Sequence, residues 1–451
     1  MATIQKRLDM NTTKEKVFKL LTDPTGRHVG TSPAVAVTRF IASQERERGT
    51  CTRLISPRLL VTCSLIALLL STLALLLGPT PPARAAAQAR AAGYVFVLNN
   101  DLSGSNSITT FSRAGDGSLK LLGVTSIGGL GSLSAFADGT QGSLILTHDE
   151  GQRLFAVDAG SNQISVVNIH GGQLSLGGVF SSGGTGPVSL SYRDGLLYVL
   201  NAANGSNDSA NVAGFHVDDQ GNLHPIAGAT RPLSTSQPNP GQVQIDPSGR
   251  FLLVTEKVPN LIDVYRIHND GSLSGASTFP ATGTYPFGMA FNPASPQHEF
   301  IVADGFGGQN GTGAVTAYRL AHGTVQVING PVADHQKAPC WMVITGDGHY
   351  AYTSDADSFT ISGYRIHADG TISLLNRNGV TAMTPSDTFP LEEGLSRDSR
   401  FLYVLDSRLL NMPPGPATVS GFLIHHDGSL TSVVNPANFT LPFTAIGLTA
   451  E

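Results

Sequence analysis

Four ionisable residues beside apolar strand-like runs could move protons or hold charge: Glu256, Lys257, Glu392 and Glu393. A carboxylate partly stripped of water serves as a general base, and an ammonium can grip a substrate carboxylate or a developing oxyanion. Adjacent opposite charges such as Glu256 and Lys257 also commonly form a plain surface ion pair. Gln242, Phe287 and Trp341 offer orientation and apolar walls, and Trp341 is the chain's one tryptophan. The competing reading of Trp341 is packing. His335, beside Asp334, lies in the segment that feeds Cys340 and Trp341. Cys340 has no partner base other than His335, and a lone cysteine more often packs than reacts. Glu256, Glu392 and Glu393 are therefore the catalytic candidates. Gln242, Lys257, Phe287, Trp341 and His335 are the substrate-binding ones.

A ring of strand-end residues comprises Asn99, Asp158, Asn201, Glu256, Asp304, Asp355 and Asp406. Seven oxygen donors suggest calcium. Asn and Asp at a strand exit more commonly cap the following turn through their own backbone, which is the reading adopted. No metal is expected, since no CxxC or Cys/His ligand spacing occurs. Most of the 13 histidines are poorly placed for catalysis. His170, His268, His367, His425 and His426 fall in hairpin turns, where exposure is expected; His148 follows an inner-strand run. There is no G-x-S-x-G elbow, phosphate loop or dinucleotide fingerprint, so no cofactor is implied.

The elements that position these residues repeat. An apolar strand ends in an acid or amide, and a second strand then runs to a Gly turn followed by an apolar residue. Those apolar residues are Leu119, Leu174, Leu223, Leu273, Val325, Ile372 and Leu430, spaced by roughly fifty residues, the size of a propeller blade. A second marker keeps the same period. Pro187, Pro240, Pro286, Pro339, Pro390 and Pro442 each open a strand, where a missing ladder donor does no harm. A lone blade cannot bury both faces, so seven must stack in a ring. The expected fold is an all-β, seven-bladed β-propeller of four-stranded blades over residues 94–451. The last strand, beginning at Pro442, should complete the first blade and close the ring. Inner-strand heads would then surround the mouth of a central channel.

Charge divides the chain. Residues 1–93 hold 13 of the 28 Lys and Arg but 5 of the 33 Asp and Glu. The remainder is acidic, which argues against nucleic acid and anionic membranes as partners. A small-molecule ligand and a monomer are expected instead. Residues 1–58 read as a polar extension, disordered or not translated. Residues 59–93 read as a signal peptide or membrane anchor plus linker: Arg53 and Arg58 flank the apolar run from Leu59 to Leu77, and Ala85-Ala86-Ala87 follows. That places the propeller outside the cytoplasm, secreted or anchored by residues 59–77.

Over about residues 94–448 the chain resembles the seven-bladed lactonase family, which includes 6-phosphogluconolactonase and carboxymuconate cyclase-like enzymes. The resemblance rests on Val254-Thr-Glu-Lys-Val-Pro-Asn-Leu-Ile-Asp-Val-Tyr265, Tyr285-Pro-Phe-Gly-Met-Ala-Phe291, Cys340-Trp-Met-Val-Ile344 and Leu395-Ser-Arg-Asp-Ser-Arg-Phe-Leu-Tyr-Val404, and it is closest to a secreted bacterial branch. WD40 and kelch readings fail for want of repeated tryptophans. The resemblance implies lactone hydrolysis or cyclisation on a carboxylated or sugar-derived substrate. Catalytic members of the family carry Pro-Arg-His at an inner-strand head, followed in that blade by Val-Asn-Glu. Here the segment is Pro240-Gly241-Gln242, followed by Thr255-Glu256. The acid is kept, while Gly and Gln supply neither a cation nor a proton carrier. A lactonase and a non-catalytic binding propeller both remain open.

Overall fold

A computed structural model describes residues 91–133, 141–147, 152–203, 209–236, 238–305, 313–408, 414–433 and 439–451. The expectations for the extension and export segment, and for His148, lie outside the described residues. Among the described residues no helix is long and apolar enough to cross a membrane.

Seven antiparallel sheets form, and in six of them the first four strands pair in sequence order. Their innermost strands are Gly447–Ala450, Leu144–Leu146, Pro187–Arg193, Pro240–Ile245, Pro286–Phe291, Pro339–Ile344 and Phe389–Leu395, here numbered as blades 1 to 7. These strands touch one another in an unbroken circuit, which makes the array a closed seven-bladed propeller. Closure occurs as expected: Gly447–Ala450 pairs with Gly93–Leu98, so one blade is built from both chain ends. Blades 3 and 6 add a two-residue strand, Arg231–Pro232 and Ala382–Met383, to the third strand of the sheet.

Pro187, Pro240, Pro286 and Pro339 are the first residues of their inner strands, and Pro390 is the second of its strand. Pro442 departs from the expectation. It sits in a turn closed by Ala445 N–H donating to its carbonyl, and the strand begins later, at Gly447. The cause is a different anchor: Leu441 bridges to Ala417 of blade 7, holding the chain outside blade 1 until it has passed the proline.

Blades lock together through their second strands. Tyr198, Tyr352 and Tyr403 are fully buried, and each donates its hydroxyl across to the outer-turn glycine carbonyl of the next blade: Gly271 at 2.7 Å, Gly428 at 2.8 Å and Gly117 at 2.7 Å. Each hook adds about 1 kcal/mol net to the burial of a large ring between sheets.

Candidate functional site

Every inner strand from blade 3 to blade 7 slips register just after its proline. Such a bulge leaves a backbone N–H without a ladder partner. The neighbouring blade satisfies it. Ser189 Oγ accepts from Val243 N–H at 3.2 Å, and Gln242 Oε1 accepts from Met289 N–H at 2.5 Å. Gly288 has no side chain for the next step, and Gln141 of blade 2 reaches in instead. Its Oε1 accepts from Met342 N–H at 3.0 Å, while its Nε2 donates to Met342 O at 2.7 Å. Glu392 closes the series by accepting Gly142 N–H at 2.6 Å and Ser143 Oγ–H at 3.2 Å. Gln242 and Glu392 thus serve as clasps between blades around the channel. Burial pushes the Glu392 carboxyl up to about 8, against the pull of those donors.

The structure brings Lys257, Phe287 and Trp341 together. Lys257 Nζ lies 4.5 Å from the Phe287 ring centroid and 5.9 Å from that of Tyr285. Trp341 packs on Phe287 with centroids 5.2 Å apart, and Cys340 joins the same cluster. The ammonium is buried, with only 1% of the residue exposed, on the faces of rings that attract cations. The Cys340 thiol is pushed well up by burial, with Lys257 opposing, so it is no thiolate nucleophile. Tyr285 and Ala338 immediately precede their blade prolines and are held at φ 66° and 55°, which turns the chain sharply at the channel mouth.

Glu256 faces away from Lys257. Its Oε1 accepts from Ser234 N–H at 2.8 Å and Ser234 Oγ at 2.9 Å, and its Oε2 accepts from Thr235 Oγ1 at 2.9 Å. Ser234 N–H also reaches Asp263 Oδ2 at 3.1 Å. Burial first, then the neighbouring Asp263 carboxylate, push Glu256 up to about 7.

The other strand-end acids are struts inside blades rather than backbone caps. Asp355 Oδ2 accepts from Thr360 Oγ1 at 2.8 Å and Ser362 Oγ at 2.7 Å. Asp158 meets Ser165 Oγ at 2.7 Å, Asp304 meets Thr316 Oγ1 at 2.5 Å, and Asp406 meets Ser420 Oγ at 2.6 Å. The backbone-cap expectation is replaced because the hydroxyls project from the third strand and reach the carboxylates directly. Among the described residues no cluster of His, Cys, Asp or Glu could hold a metal.

Glu393 lies behind the channel wall. Neither of its oxygens has a hydrogen-bond partner among the described residues, and burial holds its carboxyl well above the usual range, with Asp355 adding to the effect. Ser354, the nearby hydroxyl, donates to Leu391 O at 2.8 Å instead. A neutral acid fits that setting. His335 is exposed on its loop, while Asp334 is buried and pushed up to about 6 by desolvation, with Gln336 N–H opposing. The five hairpin histidines are exposed as expected.

Gln141, Tyr285 and Asp263 had not been singled out. Asp263 had a signal: it lies seven positions after its strand-end acid, where Ser165 and Ser362 stand in blades 2 and 6.

Ring closure, four-stranded blades and a channel ringed by inner-strand heads define a seven-bladed propeller with a cation among aromatic walls at its mouth. The model of the family described as lactonase, 7-bladed β-propeller, matches residues 209–304, the segment that carries Gln242, Glu256, Lys257, Asp263 and Phe287. Over that segment the chain is similar to the family its sequence resembles. Among solved structures it is similar to a periplasmic gluconolactonase of Pseudomonas aeruginosa (16% identity, 79% of this chain and 98% of that one, TM-score 0.60). It is also similar to a Bacteroides fragilis protein provisionally assigned as a 6-phosphogluconolactonase (18% identity, 80% and 97%, TM-score 0.57). A Sulfolobus tokodaii hypothetical selenium-binding protein is as similar in shape (10% identity, 79% and 93%, TM-score 0.58), so these likenesses establish the fold alone. No match was found among curated proteins.

Proposed function

We propose that this lactonase-type propeller binds a small carboxylated, sugar-derived ligand at the head of its central channel, with Lys257 gripping the carboxylate and Phe287, Tyr285 and Trp341 walling it. The observation that carries this reading is the Lys257 ammonium, enclosed on the aromatic faces 4.5 and 5.9 Å away. Out of water, a unit charge attracts an anion several-fold more strongly than it does in bulk solvent. Similarity in fold to a gluconolactonase supports the ligand class. Calorimetric titration with gluconate and its lactone tests it: Lys257→Met should weaken binding by about tenfold or more, the worth of one charge-assisted contact. Undiminished binding in that variant would sink the proposal.

Lactone hydrolysis is the second reading, favoured by the Glu256 carboxyl raised to about 7, where a general base works best at neutral pH. Turnover of a lactone panel that Glu256→Gln abolishes, with binding retained, supports it. Uniform inactivity leaves the non-catalytic binding propeller. The chain is further proposed to act outside the cytoplasm, on the strength of the apolar run Leu59 to Leu77 behind Arg53 and Arg58. Sequencing the N-terminus of the native protein checks export, since a start after Ala87 means a cleaved signal.

A further inference from the structure

The turn joining first and second strands closes on itself in the same way in several blades. Asp246 N–H donates to Phe251 O, Thr345 N–H to Tyr350 O, and Ser396 N–H to Phe401 O. In blade 5 the equivalent bond runs from Asn292 N–H to Glu299 O, so the turn there is two residues longer. The extra length swings His298 toward blade 4, where its Nδ1 comes 3.2 Å from Asp246 Oδ2 without hydrogen-bond alignment. Behind it lies a pocket of about 230 Å³, lined by Arg250, His298, Arg319 and His322 together with Ser248 and Phe251. This is the face opposite the channel head.

The pocket's charge is unusual for a body with 15 basic against 28 acidic groups. Two guanidiniums and two imidazoles converge there. Asp246, the acid among them, is already occupied: Oδ1 accepts from Arg250 N–H and Phe251 N–H, and Oδ2 accepts from Ser248 N–H and its hydroxyl. Arg319 donates Nη2 to Glu299 at 3.1 Å, but its buried Nε has no partner among the described residues. His298 Nδ1 is held in ion-pair range of Asp246. The Arg250 guanidinium and His322 imidazole are exposed on the cavity wall and offer donors to an acceptor entering it. Arginine's planar fork favours oxyanions.

The geometry points to a second binding site, at the underside junction of blades 4 and 5, that takes a small oxyanion, a phosphate or a carboxylate. It stands apart from the channel-head reading and does not depend on it.

Calorimetric titration of inorganic phosphate, and separately of gluconate, into the full-length Lys257→Met protein at constant ionic strength tests it without a contribution from the channel head. Binding of either anion is expected, weakened about tenfold by Arg250→Gln and by His322→Gln, both exposed residues whose replacement spares the fold. Phosphate alone means the natural ligand carries a phosphate; both anions mean that a carboxylate suffices. No heat from either anion overturns the site, and so does binding that both substitutions leave unchanged. Circular dichroism melting curves confirm that each variant is folded.

Discussion

Blades 4 and 6 end their second strands at equivalent places and meet the acid there with opposite chemistry. In blade 6, Asp355 receives hydroxyls from Thr360 and Ser362, and each oxygen of the buried acid finds a donor. In blade 4 the position matching Ser362 is Asp263, so a second carboxyl faces Glu256 across Ser234 N–H. Blades 2, 5 and 7 follow the hydroxyl pattern. The comparison separates what the repeat needs from what one blade has changed. A hydroxyl strut braces a blade by giving its buried acid donors, although burial raises that acid as well. A second carboxyl in place of the hydroxyl is a worse brace, and it helps to hold Glu256 where it can exchange a proton near neutrality.

The largest effect should come from breaking the strut. Replacing Thr360 and Ser362 of blade 6 together by Val strips two donors from a fully buried acid. Each unsatisfied interaction costs about 1–3 kcal/mol, so roughly 3 kcal/mol of stability should be lost in urea unfolding. An unchanged midpoint would mean that the hydroxyls are incidental to the brace.

Installing the strut in blade 4 should work in the opposite direction. Asp263→Ser replaces a like charge with a donor and is expected to add about 1 kcal/mol at pH 8, partly offset by losing the contact from Thr278 Oγ1 at 3.1 Å. At pH 5, below the raised value of Glu256, the gain should vanish.

The pH course of that difference follows from linkage. Glu256 has its pKa raised from 4.5 to about 7 in the fold. Its contribution is fully present below the unfolded value and is lost as pH rises through the folded one. Wild-type stability should therefore fall relative to Asp263→Ser between about pH 4.5 and 7. Parallel curves across that window would show that the acids do not communicate. Asp158, Asp304 and Asp406 are also raised, to about 7, 8 and 7, so only the difference between the two proteins isolates blade 4.

The same contrast explains what sequence could convey. Periodic prolines and Gly turns report backbone geometry, which all seven units share, and so blade number and ring closure were legible. Pro442 misled because Leu441 is bridged to blade 7. Side-chain direction at the channel was not legible. The bulge after each proline resets the two-residue alternation, so nothing local says whether Gln242 points at a ligand or at Met289. Gln141 was hidden for a further reason: blade 2 has no marker proline, and the residue's partner, Met342, is four blades away. Phe287 and Trp341 were legible because they closely follow blade prolines, and Lys257 because it follows a strand-end acid. Glu256 and Lys257 are neighbours in sequence, yet Glu256 meets Ser234 and Thr235 while Lys257, in the turn beyond the strand, lies over Phe287.

The smallest effect is the most discriminating. Glu256→Gln should change stability by no more than about 0.5 kcal/mol at pH 5, while removing the share of the pH dependence above it that Glu256 supplies. The amide reproduces the protonated acid: its oxygen still accepts from Ser234 N–H and Oγ, its NH₂ donates to Asp263, and the Thr235 hydroxyl can turn to accept. A large loss at pH 5 would mean that Glu256 is ionised there. A small one yields a folded protein in which the proton can no longer be passed on. Lactone turnover in that protein, set beside wild type, then reports on chemistry alone.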